Sequence, residues 1–499
     1  MKINNYKLLL FKLCINNTFP KIKYGFLLSF NFSMYLIFTV CFSSCKKLVE
    51  IPPPKNSITT SQVFVDSIDA AAAISGIYSN ILYKHIGLGF CNGAETVFGG
   101  LSSDELINFN TGLHTEFYFN TLESTNGDIN QYFWSEPYTY IYQANACIEG
   151  LQNSNNLPQS VKNQFTGEAK FLRSLFYFYL VNLFDDVPYV TSTAWKQTDT
   201  ISNTPKALIY QKIISDLKDA QSLLPLDYSF SNGERTRANK ATATALLARV
   251  YLYLKDWRDA ELQADSIIDN NLFSLVSGLD SVFLTNSTES ILQWQLNTSH
   301  LFFNCTAEGF TFVPSDPGLP PSYYIWPQLL NSFETGDRRK IAWLNQSDYN
   351  GVIYSYPYKY KNGQSLEQPN SSPTEYYTVF RLAEQYLIRA EAKAQQGTDM
   401  IGAAADLNVI RNRAGLANTT ASTHDDLLAA VAHERQIELF AEWGHRWFDL
   451  KRTGQVDAVM SAVTPQKNPS GTWKTYQQLY PVPQSEISKN PFLKQNAGY

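Results

Sequence analysis

From Thr60 onward, apolar residues recur mostly at helical spacing. Val63, Phe64, Ile68, Ala71, Ala72, Ile74 and Ile77 line one side of a segment that Thr60 or Ser61 can cap, which predicts a helix to about Leu82. The same period predicts helices over residues 129–152, 158–184, 205–224, 238–254 and 257–270. In the 158–184 segment, Phe171, Leu172, Leu175, Phe176, Phe178, Tyr179, Leu180 and Leu183 precede Pro188. That segment is apolar nearly all round, the pattern of a helix packed on every side.

Residues 241–268 carry alanines where two helices must approach closely, a short turn at Lys255-Asp256-Trp257, and a second helix with Ala260 and Ala264. Residues 381–416 repeat this design. Both segments resemble tetratricopeptide units, helix pairs that bury their apolar face only by stacking on neighbours. The predicted fold class is therefore mostly α, a stack of such pairs.

Two regions break the helical period. Residues 84–128 are rich in Gly, Asn, Thr and Ser, with Phe90, Phe98, Phe109, Phe117, Tyr118 and Phe119 interspersed. Residues 273–375 hold short alternating stretches at 291–296 and 309–313, prolines at 314, 317, 320, 321 and 327, and many tyrosines. Irregular structure with a few short strands is predicted there. Long irregular segments inside an ordered domain are where binding surfaces concentrate. The candidate ligand contacts are Phe90, Asn92, Phe109, Asn110 and Tyr118 from the first region, with Phe302, Phe303, Tyr323 and Trp326 from the second.

The start of the chain differs in kind. A basic stretch to residue 24 precedes an apolar run over 26–40 and then Cys41-Phe42-Ser43-Ser44-Cys45, the order of a secretory signal ending in a lipobox. Residues 1–44 are read as signal peptide and Cys45 as the lipidation site. Residues 45–57, with Pro52-Pro53-Pro54, are read as an extended tether. Residues 1–44 contain five lysines and no acid, so their removal takes the formal net charge of the 499-residue chain from -5 to -10. An acidic surface repels phosphate backbones and argues against nucleic-acid binding.

Aromatic residues reach 14%, and tyrosine at high frequency suits wet surfaces as well as core. Cys91, Cys147 and Cys305 show no metal or disulfide spacing and are read as buried small apolar residues. His433-Glu434 opens like a zinc-protease motif, but position 437 is Ile. No phosphate-binding loop, nucleophile elbow or dinucleotide fingerprint occurs. The sequence thus offers no catalytic residue, no metal ligand set and no cofactor.

Residues 433–454, HERQIELFAEWGHRWFDLKRTG, and 480–499, YPVPQSEISKNPFLKQNAGY, resemble the C-terminal signatures of the SusD/RagB family. Residues 167–190, 241–268 and the AEAKA stretch at 390–394 fall in the family's order, so the resemblance spans nearly the whole chain after Cys45. It implies a SusD-like helical fold, with an N-terminal region over 58–270 and a C-terminal region over 271–499. It further implies a non-catalytic lipoprotein, anchored at the outer membrane and facing the cell surface, that binds a glycan and delivers it to a SusC-like TonB-dependent transporter. Peptide cargo, or an envelope interaction scaffold, are the alternatives. Acidic residues often follow the lipidated cysteine in surface-exported members, whereas here Lys46 and Lys47 come first. Within the signature, Glu434, Arg435, Glu438, Arg446 and Asp449 are expected to pair with one another as structural charges, with Trp443, Trp447 and Phe448 packing beside them.

Overall fold

Helices whose apolar faces need a neighbour make up most of the chain in the computed structural model, which describes residues 63–83, 87–296, 304–364 and 372–499. Helix α1 (Ser67–Tyr83) is followed by α2 (Ala94–Ser102), strand β1 (Leu106–Asn108) and α3 (Thr115–Phe119). A π-helical turn, Ile129–Ser135, leads into α4 (Glu136–Asn153), and α5 (Gln159–Phe184) packs against it. Every residue of α5 from Phe171 to Phe184 is buried, as its all-round apolar pattern requires.

Helix α6 (Lys206–Leu223) packs on α5, and α7 (Lys240–Leu254) packs on α6. Asn239 starts α7 by accepting the amide of Thr242, while Thr242 accepts the amide of Asn239 in return. Lys255 then takes a left-handed conformation and Asp256 caps α8 (Trp257–Ile268), so the turn is only two residues long. Ala260 and Ala264 of α8 are fully buried, which lets the two axes approach closely.

The next helix in the stack is more than a hundred residues away in sequence: α8 packs against α10 (Leu382–Gln396). The chain between them leaves along β2 (Ser290–Trp294) and returns along β6 (Tyr377–Arg381), its antiparallel partner, which runs directly into α10. Helix α11 (Met400–Arg413), capped by Asp399, and α12 (His424–Glu438), capped by Thr423, complete this layer. Helices α13 (His445–Arg452) and α14 (Val456–Lys467) follow. One core cluster runs from Phe64 to Leu493.

The excursion between α8 and α10 contains α9 (Ala307–Phe312), β3 (Tyr323–Ile325) and a hairpin of β4 (Leu344–Tyr349) and β5 (Val352–Pro357). Asn350 and Gly351 turn that hairpin with positive φ at both positions, 55° and 79°.

Two local expectations are corrected. Residues 84–128 are not one irregular stretch, because α2 lies within them with all nine of its residues buried. Its glycines serve close packing and not looseness: a Cβ on Gly99 would stand 2.9 Å from Gly444 Cα, and one on Gly100 would stand 2.6 Å from Leu106 Cδ1. Residues 309–313 fall not in a strand but mostly in α9, because Thr306 accepts the Gly309 amide at 3.0 Å and starts a helical turn. The predicted strand at 291–296 does form, as β2.

The terminal signature works as a seam. Asn496 Nδ2 donates to the carbonyls of Phe184 at 2.9 Å and Tyr480 at 2.8 Å, and Gln495 bonds both backbone groups of Val482. Cys91, Cys147 and Cys305 are buried free thiols.

Candidate functional site

Among the described residues, three of the places that gather polar or aromatic side chains bear on function. The first is the charged signature at the end of α12. Glu438 is fully buried and accepts bonds from Arg381 Nη1 at 2.6 Å, from Arg339 Nη1 at 2.9 Å and from Arg413. Glu434 takes Arg339 Nη1 at 2.5 Å, while Glu442 holds Arg381 Nε at 2.8 Å and pairs with Lys359. Glu289, at the start of β2, bridges Arg381 and Arg413 from the other side. Burial works against the ionised form of Glu438, but Arg413, Arg381 and Arg339 outweigh it and hold its carboxyl well below the usual range.

The expected pairing within the signature holds for Arg435 and Asp449, at 2.8 Å. Elsewhere the partners are distant in sequence. Glu434 and Glu438 reach arginines of the excursion and of α11, and Arg446 forks onto Asp104 with both contacts at 2.7 Å. Helical spacing shows which charges share a face and says nothing of what packs on that face. Trp447 is fully buried, and Trp443 lies between Tyr179 at 5.6 Å and Tyr377 at 5.2 Å. This cluster locks the excursion onto the helix stack.

The second place joins the two regions singled out in the sequence. Strand β1 pairs antiparallel with β3, setting Asn108 opposite Tyr323, and the Phe109 amide donates to Ser322 O at 3.0 Å. The hairpin lies alongside, so that Phe109 stands edge-on to Tyr349 at 6.0 Å and to Tyr354 at 5.4 Å, and Tyr354 meets Tyr324 at 5.0 Å. All four rings are half-buried. Tyr118 is half-buried as well; burial and then the neighbouring Tyr324 push its phenol up to about 12, so it stays a hydrogen-bond donor at neutral pH.

Of the residues nominated from sequence, Phe109, Asn110 and Tyr118 belong to this face, with Asn110 exposed. Tyr323 and Trp326 lie beneath it, buried, and the Tyr323 hydroxyl meets His114 Nδ1 at 2.5 Å. Phe90 and Asn92 are elsewhere: Phe90 is fully buried against Phe176 at 5.8 Å, and Asn92 is 4% exposed. Their Gly-rich surroundings suggested a loop, yet Phe90 N–H donates to the buried Glu136 and α2 follows directly. Phe302, Phe303 and Cys45 lie outside the described residues. Sequence reasoning missed Tyr324, Tyr349 and Tyr354, although Asn350-Gly351 between alternating stretches is a strong hairpin signal.

The third place is a cleft of about 410 Å³ between α1, the 230–237 loop and the end of β2. Tyr78 and Trp294 wall it, their rings edge to face at 5.5 Å. Arg237 lies at its base, clamped by the fully buried Glu168 through bonds of 2.6 and 2.9 Å. Nothing in the sequence nominated these residues. Among the described residues, no group of three or more His, Cys, Asp or Glu side chains is arranged to hold a metal ion.

Comparison with known proteins gives a consistent result. Two family models match, one described as the SusD family over residues 333–499, the other as starch-binding and associating with the outer membrane over residues 61–252. A SusD-like protein of Formosa agariphila is 26% identical over 522 aligned positions, covering 93% of this chain and 99% of that protein. The starch-binding protein SusD of Bacteroides thetaiotaomicron is 24% identical, over 70% of this chain and 74% of its own length. Among solved structures, a laminarin-binding SusD-like protein superposes with a TM-score of 0.69 at 25% identity, covering 87% of this chain and 99% of that one.

Proposed function

The chain belongs to the SusD/RagB family, and from that premise we propose that it is a non-catalytic outer-membrane lipoprotein that captures a glycan on its tyrosine-rich face. The captured chain passes to a SusC-like TonB-dependent transporter. The carrying observation is the convergence of Phe109, Tyr324, Tyr349 and Tyr354 at the β1–β3 junction, half-buried and joined in a row of edge contacts. Sugar rings present apolar C–H faces to such platforms, and phenol and amide groups answer their hydroxyls. Two relatives whose names state starch or laminarin binding support the cargo class.

The anchor in this reading is Cys45. Each buried methylene of an acyl chain contributes about 0.8 kcal/mol, so a multiply acylated cysteine holds the protein at a bilayer. Absence of catalysis is supported by the signature acids, because Glu434, Glu438 and Glu442 are each engaged by arginine or lysine in the interior.

Affinity electrophoresis of the mature chain through gels containing laminarin, starch and other polysaccharides tests the cargo, and co-purification from outer membranes tests the partner. Retardation by at least one polysaccharide and recovery of a β-barrel transporter are expected. Binding to peptides alone overturns the glycan reading, and recovery of unlipidated protein from the periplasm overturns the anchor.

A further inference from the structure

We propose that the cleft between α1 and the 230–237 loop is a second binding site, separate from the tyrosine-rich face, for a neutral mono- or disaccharide unit. None of its lining residues belongs to that face. Its volume of about 410 Å³ falls in the ~300–1,000 Å³ range of small-molecule sites.

The cleft is held in shape from below. Glu168, with no side-chain exposure, takes Arg237 through both oxygens and also accepts the Tyr78 hydroxyl at 2.8 Å and Gln164 Nε2 at 2.6 Å. Arg237 in turn lies 5.1 Å from the centre of the Tyr78 ring and donates to Ser75 Oγ at 3.1 Å. Tyr78 therefore stands in a fixed position before any ligand arrives, and so does Trp294, whose indole N–H donates to Cys91 O at 3.0 Å. Such prior fixing removes ordering costs from binding.

The rim supplies the complementary groups. Phe230 is 44% exposed there, and Asn232 and Gln295 are exposed amides. Gln295 Nε2 contacts Glu234 Oε2 at 3.3 Å, leaving acceptor capacity on the carboxylate and on the amide oxygen. A sugar hydroxyl both donates and accepts, and its ring carbons present an apolar face. Amides and a carboxylate beside the exposed Phe230 ring meet both needs.

Charge sets the class. Among the described lining residues the only charged side chains are Arg237 and Glu234. The guanidinium is already neutralised by Glu168, whereas Glu234 pairs with no cation among the described residues. An incoming uronate or sulfate would meet a like charge, and a neutral sugar meets none.

Saturation-transfer NMR on the mature chain tests this with glucose, galactose, mannose, xylose, maltose, cellobiose and laminaribiose, against galacturonate and glucose 6-sulfate. At least one neutral sugar should give a signal. Phe230→Ala with Gln295→Ala should weaken that sugar tenfold or more, while Tyr324→Ala with Tyr354→Ala leaves it within twofold. Glu234→Gln should admit galacturonate. Silence from every neutral sugar, a signal lost with the tyrosine variants instead, or wild-type binding of galacturonate at equal strength would each overturn the proposal. Polysaccharide retardation of the same variants reports on the tyrosine-rich face independently.

Discussion

Arg381 and Tyr324 sit on strands of the same excursion from the helix stack, yet one is sealed and the other half open. Arg381 is 2% exposed and its guanidinium is shared among Glu289, Glu438 and Glu442. Tyr324 meets Tyr354 at 5.0 Å and is only half-buried. Charged residues in a recognisable motif thus hold the fold together, and ordinary-looking tyrosines form the surface on which something can bind. What separates the two is satisfaction: a side chain whose donors and acceptors are all met inside the protein has nothing left for a ligand.

Removing one carboxylate from the sealed region should have the largest effect. Glu438→Ala removes the one carboxylate that Arg381, Arg339 and Arg413 share and leaves these buried guanidiniums short of negative charge, and breaking a buried pair from one side costs about 3–5 kcal/mol. Urea denaturation of the mature chain should show a loss of that size. A stable Glu438→Ala protein that had lost glycan binding would reverse the assignment of the two regions.

On the open region the balance is opposite. Tyr324→Ala combined with Tyr354→Ala should weaken glycan binding at least tenfold, about 1.4 kcal/mol, and cost about 1–2 kcal/mol of stability. Calorimetry on the variant and denaturation of the same preparation separate the two numbers. Unchanged affinity would move the platform elsewhere.

How much of this was legible follows the same division. Helices α5, α7 and α8 could be placed to within a few residues, since their apolar periods, the alanine spacing and the turn at Lys255-Asp256-Trp257 are local signals. The role of the 434–449 charges as structural was legible, but not their partners, because Arg339, Arg381 and Arg413 arrive through folding and not through spacing. The two candidate regions were singled out by composition, yet composition could not tell the fully buried Phe90 from the half-buried Phe109. The cleft left no trace, for Tyr78, Arg237 and Trp294 are far apart in the chain and each is unremarkable alone.

A third set of buried carboxyls sharpens the comparison, because it lacks arginine partners. Burial pushes the Glu308 carboxyl up to about 8, and the hydroxyls of Thr96 and Tyr377, which bond it, only moderate the shift. Glu95 and Glu105 are pushed up to about 8 in the same way. An acid whose pKa is raised in the folded state stays protonated between its ordinary value of 4.5 and about 8, while the unfolded chain ionises. Stability from these groups is therefore present below pH 4.5 and declines as pH rises toward 8. Glu308→Gln keeps the acceptor for Thr96 and Tyr377 but cannot ionise, so its denaturation midpoint should gain on wild type between pH 5 and pH 8.5. A parallel pair of pH curves would mean that Glu308 is ionised in the folded protein, as Glu438 is.

The smallest effect separates holding a platform from being one. Asn108 Oδ1 accepts the Asn110 amide at 3.0 Å, and its Nδ2 donates to Leu113 O, so this side chain ties the 109–113 loop that carries Phe109. Asn110 itself is exposed. Asn108→Ala should loosen the loop without deleting a ring and weaken glycan binding about threefold, ~0.6 kcal/mol, in keeping with one partly exposed hydrogen bond. Asn110→Ala should leave affinity within twofold, because its side chain is not required to position Phe109. The reverse ranking would mean that the Asn110 amide touches the sugar directly and that the face extends past Phe109 toward the exposed Leu113.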